Sequence, residues 1–195
     1  MNLPYRIVPL CEGQHATLYT VRVDGRPDTE TELFSQRPEV RAAKEFHPLE
    51  RRRHAFCGRE HLYHRHADAD PHRWFRDEGD GCSALCAPIP SEDEDVRSGT
   101  TSVLRLYCFR LDREALKDHL HLLDPADGRN LPIAVFCGGG LKTTLQPRDC
   151  PNVAASFNEM KHVKRRLVER LSTGDVRISE DLYELEGDLS FCAKP

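Results

Sequence analysis

Nowhere in these 195 residues does an apolar run approach the roughly 20 residues needed to cross a bilayer. The N-terminus, MNLPYRIVPL, holds one arginine, Arg6, and too short an apolar stretch for a secretory signal. These two absences predict a cytoplasmic chain with no membrane partner. Internal repeats and low-complexity tracts are also missing, and the length fits one domain over residues 1–195. That domain divides into a hairpin and helices (1–80), a sheet with a closing helix (81–174) and an extended acidic segment (175–195). Positive charge is in deficit: 28 Lys and Arg stand against 32 Asp and Glu, which excludes a protein whose whole surface binds nucleic acid. The distribution is uneven, since residues 141–170 are basic and residues 179–195 acidic. Eight cysteines are present, but a disulfide framework belongs to short secreted chains. Here Cys11, Cys57, Cys108 and Cys137 sit inside apolar or helical patterns and read as buried thiols.

Periodicity predicts an opening hairpin, with strands at Tyr5–Leu10 and His15–Val23 closed by the turn-like Asp24-Gly25-Arg26-Pro27. A third extended piece is expected near Thr29–Phe34. A helical region then covers Arg37–Gly58, with a break or kink at His47-Pro48, and Pro71–Glu78 reads as a short helix stopped by Gly79. The acidic run Ser91–Gly99 reads as a solvated loop after a short strand at Ala84–Ile89. Val103–Leu111 (VLRLYCFRL) is the strongest strand, with Arg105, Tyr107 and Phe109 on one face and Leu104, Leu106 and Cys108 on the other. Arg113–Asn130 reads as an insertion in a hairpin, and Pro132–Cys137 as the returning buried strand. Val153, Phe157, Met160, Val163, Leu167 and Leu171 recur at helical spacing, Ser156 with Glu159 suggests a capping box, and Gly174 is placed to end the helix. Arg177–Ser179 and Leu182–Phe191 read as extended.

Four constellations could carry chemistry. CGGGLKTT (137–144) has a phosphate-binding look, but Leu141 separates Gly140 from Lys142 and no helix follows directly, so it is not a nucleotide-binding loop. Gly138, Gly139 and Gly140 either permit a bulge at a strand end or let a polyanion approach the backbone beside Lys142. Cys82 and Cys86 follow a His-rich run (His54, His61, His64, His66, His72) and meet half of a zinc-finger spacing, so a structural zinc is one reading and a solvated loop the other. Arg105, Tyr107 and Lys142 form a third set, together with Arg76, Asp77 and Glu78 at the close of the short helix. Cations of this kind stabilise charge developing on phosphate oxygens while a Tyr, His or carboxylate moves a proton; a strand arginine also serves as an ion-pairing residue. Lastly, Lys161, Lys164 and Arg165 on the basic face of the closing helix suit RNA phosphates or ordinary solvation. The acidic Glu180–Asp188 stretch could fold back and screen that face.

The order of elements, from RWFRDEG through LRLYCFRL and FCGGGLKTT to one amphipathic helix, resembles the toxins of bacterial RelE/HigB-type toxin–antitoxin systems and related prophage proteins. The resemblance covers roughly residues 73–174. It implies an endoribonuclease that acts on mRNA, on the ribosome in many members, needs no metal or other cofactor, and is neutralised by a cognate antitoxin protein. In those toxins Arg and Lys neutralise the scissile phosphate while the 2′-hydroxyl attacks it. Carried over, Arg105 is the strand arginine, Lys142 the second cation, and Tyr107 a proton-transfer or base-stacking residue, with His162 as a spare candidate. The chain differs from the small toxins in its length, its sequence pI near 6.2 and its insertion at 113–130. The expected fold is α+β: a mostly antiparallel sheet of five or six strands with helices packed on one side, RelE-like with N-terminal and hairpin elaborations. The rival reading is a protein- or nucleic-acid-binding module of the same fold that cuts nothing.

Overall fold

The computed structural model describes residues 3–13, 16–56, 75–87, 103–111, 133–143, 149–179 and 184–192. In chain order these form β1 (Tyr5–Glu12), β2 (Thr17–Val23), α1 (Glu30–Gln36), α2 (Pro38–Arg41), α3 (Phe46–Phe56), β3 (Phe75–Gly79), β4 (Cys82–Cys86), β5 (Val103–Arg110) and β6 (Ile133–Lys142). The helix α4 (Pro151–Thr173) and the short strands β7 (Val176–Ile178), β8 (Leu185–Gly187) and β9 (Ser190–Phe191) follow. Seven strands make one sheet in the order β3-β4-β5-β6-β2-β1-β9, and β7 pairs with β8 in a separate ribbon. Every described pairing is antiparallel except β2 with β6. The fold is thus α+β with a mostly antiparallel sheet, as the alternation in the sequence implies.

The helices, however, lie on both faces of the sheet. On one face Val153, Phe157, Met160, Val163 and Leu167 of α4 pack against Tyr107, Phe109, Val135 and Val21. On the other, Phe34, Val40, Leu49 and Phe56 of α1–α3 pack against Leu104, Leu106, Cys108 and Phe136. The reason lies in β5 and β6, which are apolar on both sides, as befits strands covered on each face.

Several local expectations are also revised. Thr29–Phe34 is not extended: Thr29 accepts from the Glu32 amide while the Glu32 carboxylate accepts from the Thr29 amide, a capping box that starts α1 at Glu30. The helical break falls before Phe46, and Pro48 sits in the first turn of α3, where a missing N–H costs nothing. Residues 75–78 are strand and not helix. Asp80 and Gly81 both have positive φ (57° and 63°), the requirement of a type I′ turn, so Asp80-Gly81 makes a β3–β4 hairpin. α4 begins with Pro151 after Cys150 and ends at Gly174 in the left-handed conformation, while Ser156 lies buried inside it and caps nothing. The expected loop at 91–99 and insertion at 113–130 lie outside the described residues.

Candidate functional site

Lys142 and Arg105 share a face of the sheet because of one extra residue. Before the irregularity, Phe109 is opposite Val135 and Cys108 opposite Phe136; after it, Leu106 is opposite Gly139 and Arg105 opposite Gly140. Cys137 and Gly138 therefore both lie across from Tyr107, a bulge for which Gly138 supplies φ +85°. Ile133, Val135 and Cys137 face α4, and without the bulge Lys142 would point with Ala134 and Phe136 to the opposite side. The bulge is held from behind by Arg37, whose Nη1 donates to the Gly139 carbonyl at 2.7 Å. Beyond it, the Thr143 amide donates to Cys150 Sγ at 3.4 Å, tying the strand end to the start of α4.

A second irregularity, between Asp77 and Gly79, places Glu78 in β3. Across the intervening β4, the residues on this face are Cys82, Ala84 and Cys86, all small, so long side chains from β3, β5 and β6 can meet above them. Glu78 Oε1 accepts from Arg105 Nε at 3.1 Å, and Glu78 Oε2 accepts from Lys142 Nζ. Arg105 Nη1 also donates to the Leu104 carbonyl. The three side chains are 2%, 3% and 6% exposed for Glu78, Arg105 and Lys142, so the cluster is sealed from bulk water. Removing Glu78 from such a buried set leaves both cations uncompensated and costs about 3–5 kcal/mol.

Tyr107 points to the same face, packed edge-on against Phe157 with ring centroids 5.7 Å apart. Burial pushes its hydroxyl pKa well above the ordinary value, and the Glu78 charge adds to this against the opposing Arg105, so the phenol stays protonated. Its oxygen is buried with no hydrogen-bond partner among the described residues.

Comparison with known proteins finds no matching family model, no matching curated protein and no matching solved structure.

The remaining candidates are placed elsewhere or serve the backbone. Gly138 and Gly139 are enclosed: a Cβ on Gly138 would meet Ser156 Oγ at 3.4 Å and one on Gly139 the Arg105 carbonyl oxygen at 1.9 Å. Gly140 is buried opposite Arg105. Lys161 pairs with Asp80 Oδ2 at 2.5 Å, and Lys164 donates to the Asp80 and Gly81 carbonyls at 2.9 Å, so both grip the β3–β4 turn. Exposed Arg165 has Nη2 3.3 Å from His162 Nδ1, and the His162 ring lies 6.3 Å from Tyr5. Arg170 binds the Ser190 carbonyl and Asp188, so part of the acidic C-terminal stretch returns to α4, at Arg170 and not at Lys161, Lys164 or Arg165 among the described contacts. Cys82 and Cys86 are buried in the α4-side core; of the His-rich run only His54 is described, and it lies beside Arg53 and Glu50. Among the described residues no group of three or more His, Cys, Asp or Glu could hold a metal ion.

Glu78 belongs to the set of Arg105, Tyr107 and Lys142 in the sequence, but as the end of a short helix and with no role of its own; the structure puts it in strand β3, between the two cations. Its signal was available: Gly-Asp-Gly after FRDE and before an apolar run marks a hairpin, which makes FRDEG a strand.

Proposed function

We propose that this protein is a metal-independent endoribonuclease of the RelE/HigB kind, acting on mRNA, free or on the ribosome, and restrained by a partner protein. The observation that supports it is the convergence of Arg105 and Lys142 on a single carboxylate, from the two strands that the resemblance singles out. A pair of cations that binds one oxyanion through separate oxygens is the arrangement that stabilises charge on a phosphodiester as a 2′-oxygen attacks it. A protonated Tyr107 serves such a reaction as a donor to the departing 5′-oxygen, and not as a base, and the 2′-hydroxyl proton passes to water.

The test is tightly induced expression in bacteria of the wild type, Arg105→Ala, Lys142→Ala and the charge-keeping Lys142→Arg, at matched soluble levels, with transcript ends mapped. Growth arrest and cleavage by the wild type, lost in both alanine variants and partly kept in Lys142→Arg, uphold the reading. Equal growth of all four overturns it in favour of a binding module. That second reading is favoured by one observation, the near-complete burial of Arg105 and Lys142.

A further inference from the structure

Among the described residues, two cations and one carboxylate leave the sealed cluster with one positive charge in excess, and beside it the Tyr107 hydroxyl lacks a partner. Interiors rarely tolerate either, because an uncompensated charge and an unmade hydrogen bond both cost stability. Glu78 cannot supply both wants. Each of its oxygens is engaged by one cation, and neither is a hydrogen-bond partner of Tyr107. A phosphate-type oxyanion carries more oxygens in a tetrahedral array, and as free phosphate more charge, and so could engage Arg105, Lys142 and Tyr107 together.

We propose that Arg105, Lys142 and Tyr107 form a nest for a phosphate-type oxyanion and that Glu78 occupies this nest as an internal stand-in. The inference rests on the reading of Arg105 and Lys142 as phosphate-binding residues and adds the resting state of that site. Glu78 is well placed to leave. Among the described strands β3 is the outermost of the sheet, Glu78 lies in its bulge, and the turn that follows is held by the exposed contacts of Lys161 and Lys164. Exposed contacts of this kind are individually weak.

The experiment is thermal melting of the full chain as wild type, Glu78→Ala, Glu78→Gln and Glu78→Ala/Arg105→Ala. Each is measured in sodium chloride, in sodium phosphate of equal ionic strength, and with a short single-stranded RNA in chloride. Glu78→Ala should melt below the wild type in chloride and recover saturably with the oxyanion, by roughly 5–10 °C at a hundredfold excess over the dissociation constant. The double variant should not recover. Recovery with phosphate alone identifies a free phosphate as the ligand, and recovery with RNA identifies a nucleic-acid backbone; either upholds the nest. Folded Glu78→Ala and Glu78→Gln that melt alike in all three solutions overturn it, as does equal recovery in the double variant. Failure of both single variants to fold in any of the solutions also counts against it, since an oxyanion in excess should replace the lost carboxylate. Loss of RNA cleavage in Arg105→Ala without oxyanion recovery in Glu78→Ala would leave the ribonuclease standing and the stand-in refuted. The reverse result would keep the nest and refute the ribonuclease.

Discussion

Gly139 lies against the carbonyl of Arg105 so closely that a single methyl group on its Cα would sit 1.9 Å from that oxygen and 2.9 Å from the carbonyl carbon. The contact is backbone on backbone, across the pair of strands that carries both cations, so no side chain can swing away to relieve it. Gly139→Ala should therefore force β5 and β6 apart and destabilise the fold by about 3 kcal/mol or more. Gly25→Ala is the control. It has φ +83° but nothing within 4 Å, so only the strain of a left-handed alanine, about 1–2 kcal/mol, should appear. Urea unfolding of the two variants compares them directly, and equal losses would show that the close approach is not rigid.

The basic face of α4 makes a different kind of prediction. Lys161 and Asp80 are 43% and 61% exposed at the side chain, so their pair should contribute no more than about 0.2–1 kcal/mol and vanish in molar salt. Lys164 matters more for local order than for global stability, because its two acceptors are the carbonyls of the hairpin turn. Lys164→Met should speed amide exchange in β3 and β4 several-fold while the urea midpoint moves little. Unchanged exchange would remove the clamp from the description of this hairpin.

Two glutamates at the start of α1 should respond to pH in opposite directions. Burial raises the Glu30 carboxyl above its ordinary 4.5, nearby Glu159 adds to the rise, and Arg26 and Arg37 oppose it. The folded protein thus holds this proton more tightly than the unfolded chain, and the ionised form costs stability at neutral pH. The Thr29 amide and hydroxyl hold the Glu32 carboxyl below 4.5, a stabilisation complete above that value and lost as the pH falls through the folded one. Glu30→Gln should stabilise the protein at pH 7 and make no difference below pH 4, whereas Glu32→Gln should destabilise it at pH 7 and approach neutrality in acid. Chemical denaturation at several pH values reads both, and a Glu30→Gln variant weaker than wild type at pH 7 would contradict the sign.

Arg170 helps to fasten residues 184–192 to the sheet. Arg170 donates to the Ser190 carbonyl at 2.6 Å, reaches Asp188, and lies 5.2 Å over the ring of Phe191, which stacks on Tyr5 at 4.8 Å. Arg170→Ala should release residues 184–192 first, seen as faster proteolysis there and faster exchange of the Ile7 amide, which donates to the Leu189 carbonyl. Arg170→Lys should restore little, because a lysine cannot both fork and stack. Protection unchanged in either variant would show that β9 pairing alone holds the segment.

How much of this was legible depended on how local the determining interaction is. VLRLYCFRL announced a strand by its β-branched, aromatic and apolar residues, and which side chains share a face follows from strand geometry; the helix at 151–173 was as plain, with Gly174 marking its end. Thr29–Phe34 misled because alternating threonine and glutamate imitate a strand, although Thr29-x-x-Glu32 spells the capping box that decides the matter. The second layer of helices was hidden because a strand apolar on both faces has no periodicity to report. At the site, the shared face of Arg105 and Tyr107 follows from spacing alone, while the position of Lys142 depends on a bulge whose register only the partner strand defines. Glu78 was the least accessible: its neighbours in space come from two strands beyond its own hairpin partner, and their approach requires the small residues of β4.

The parallel pairing of β2 with β6 has a consequence for how the chain is made. Thr17 must wait for Ile133, and Thr20 for Phe136, more than a hundred residues later. At roughly 5–20 residues per second, the first hairpin leaves the ribosome about 5–20 s before the strand that covers its inner edge exists. During that interval the open edge of β2, rich in apolar and β-branched residues, is a surface that chaperones or another nascent chain can claim.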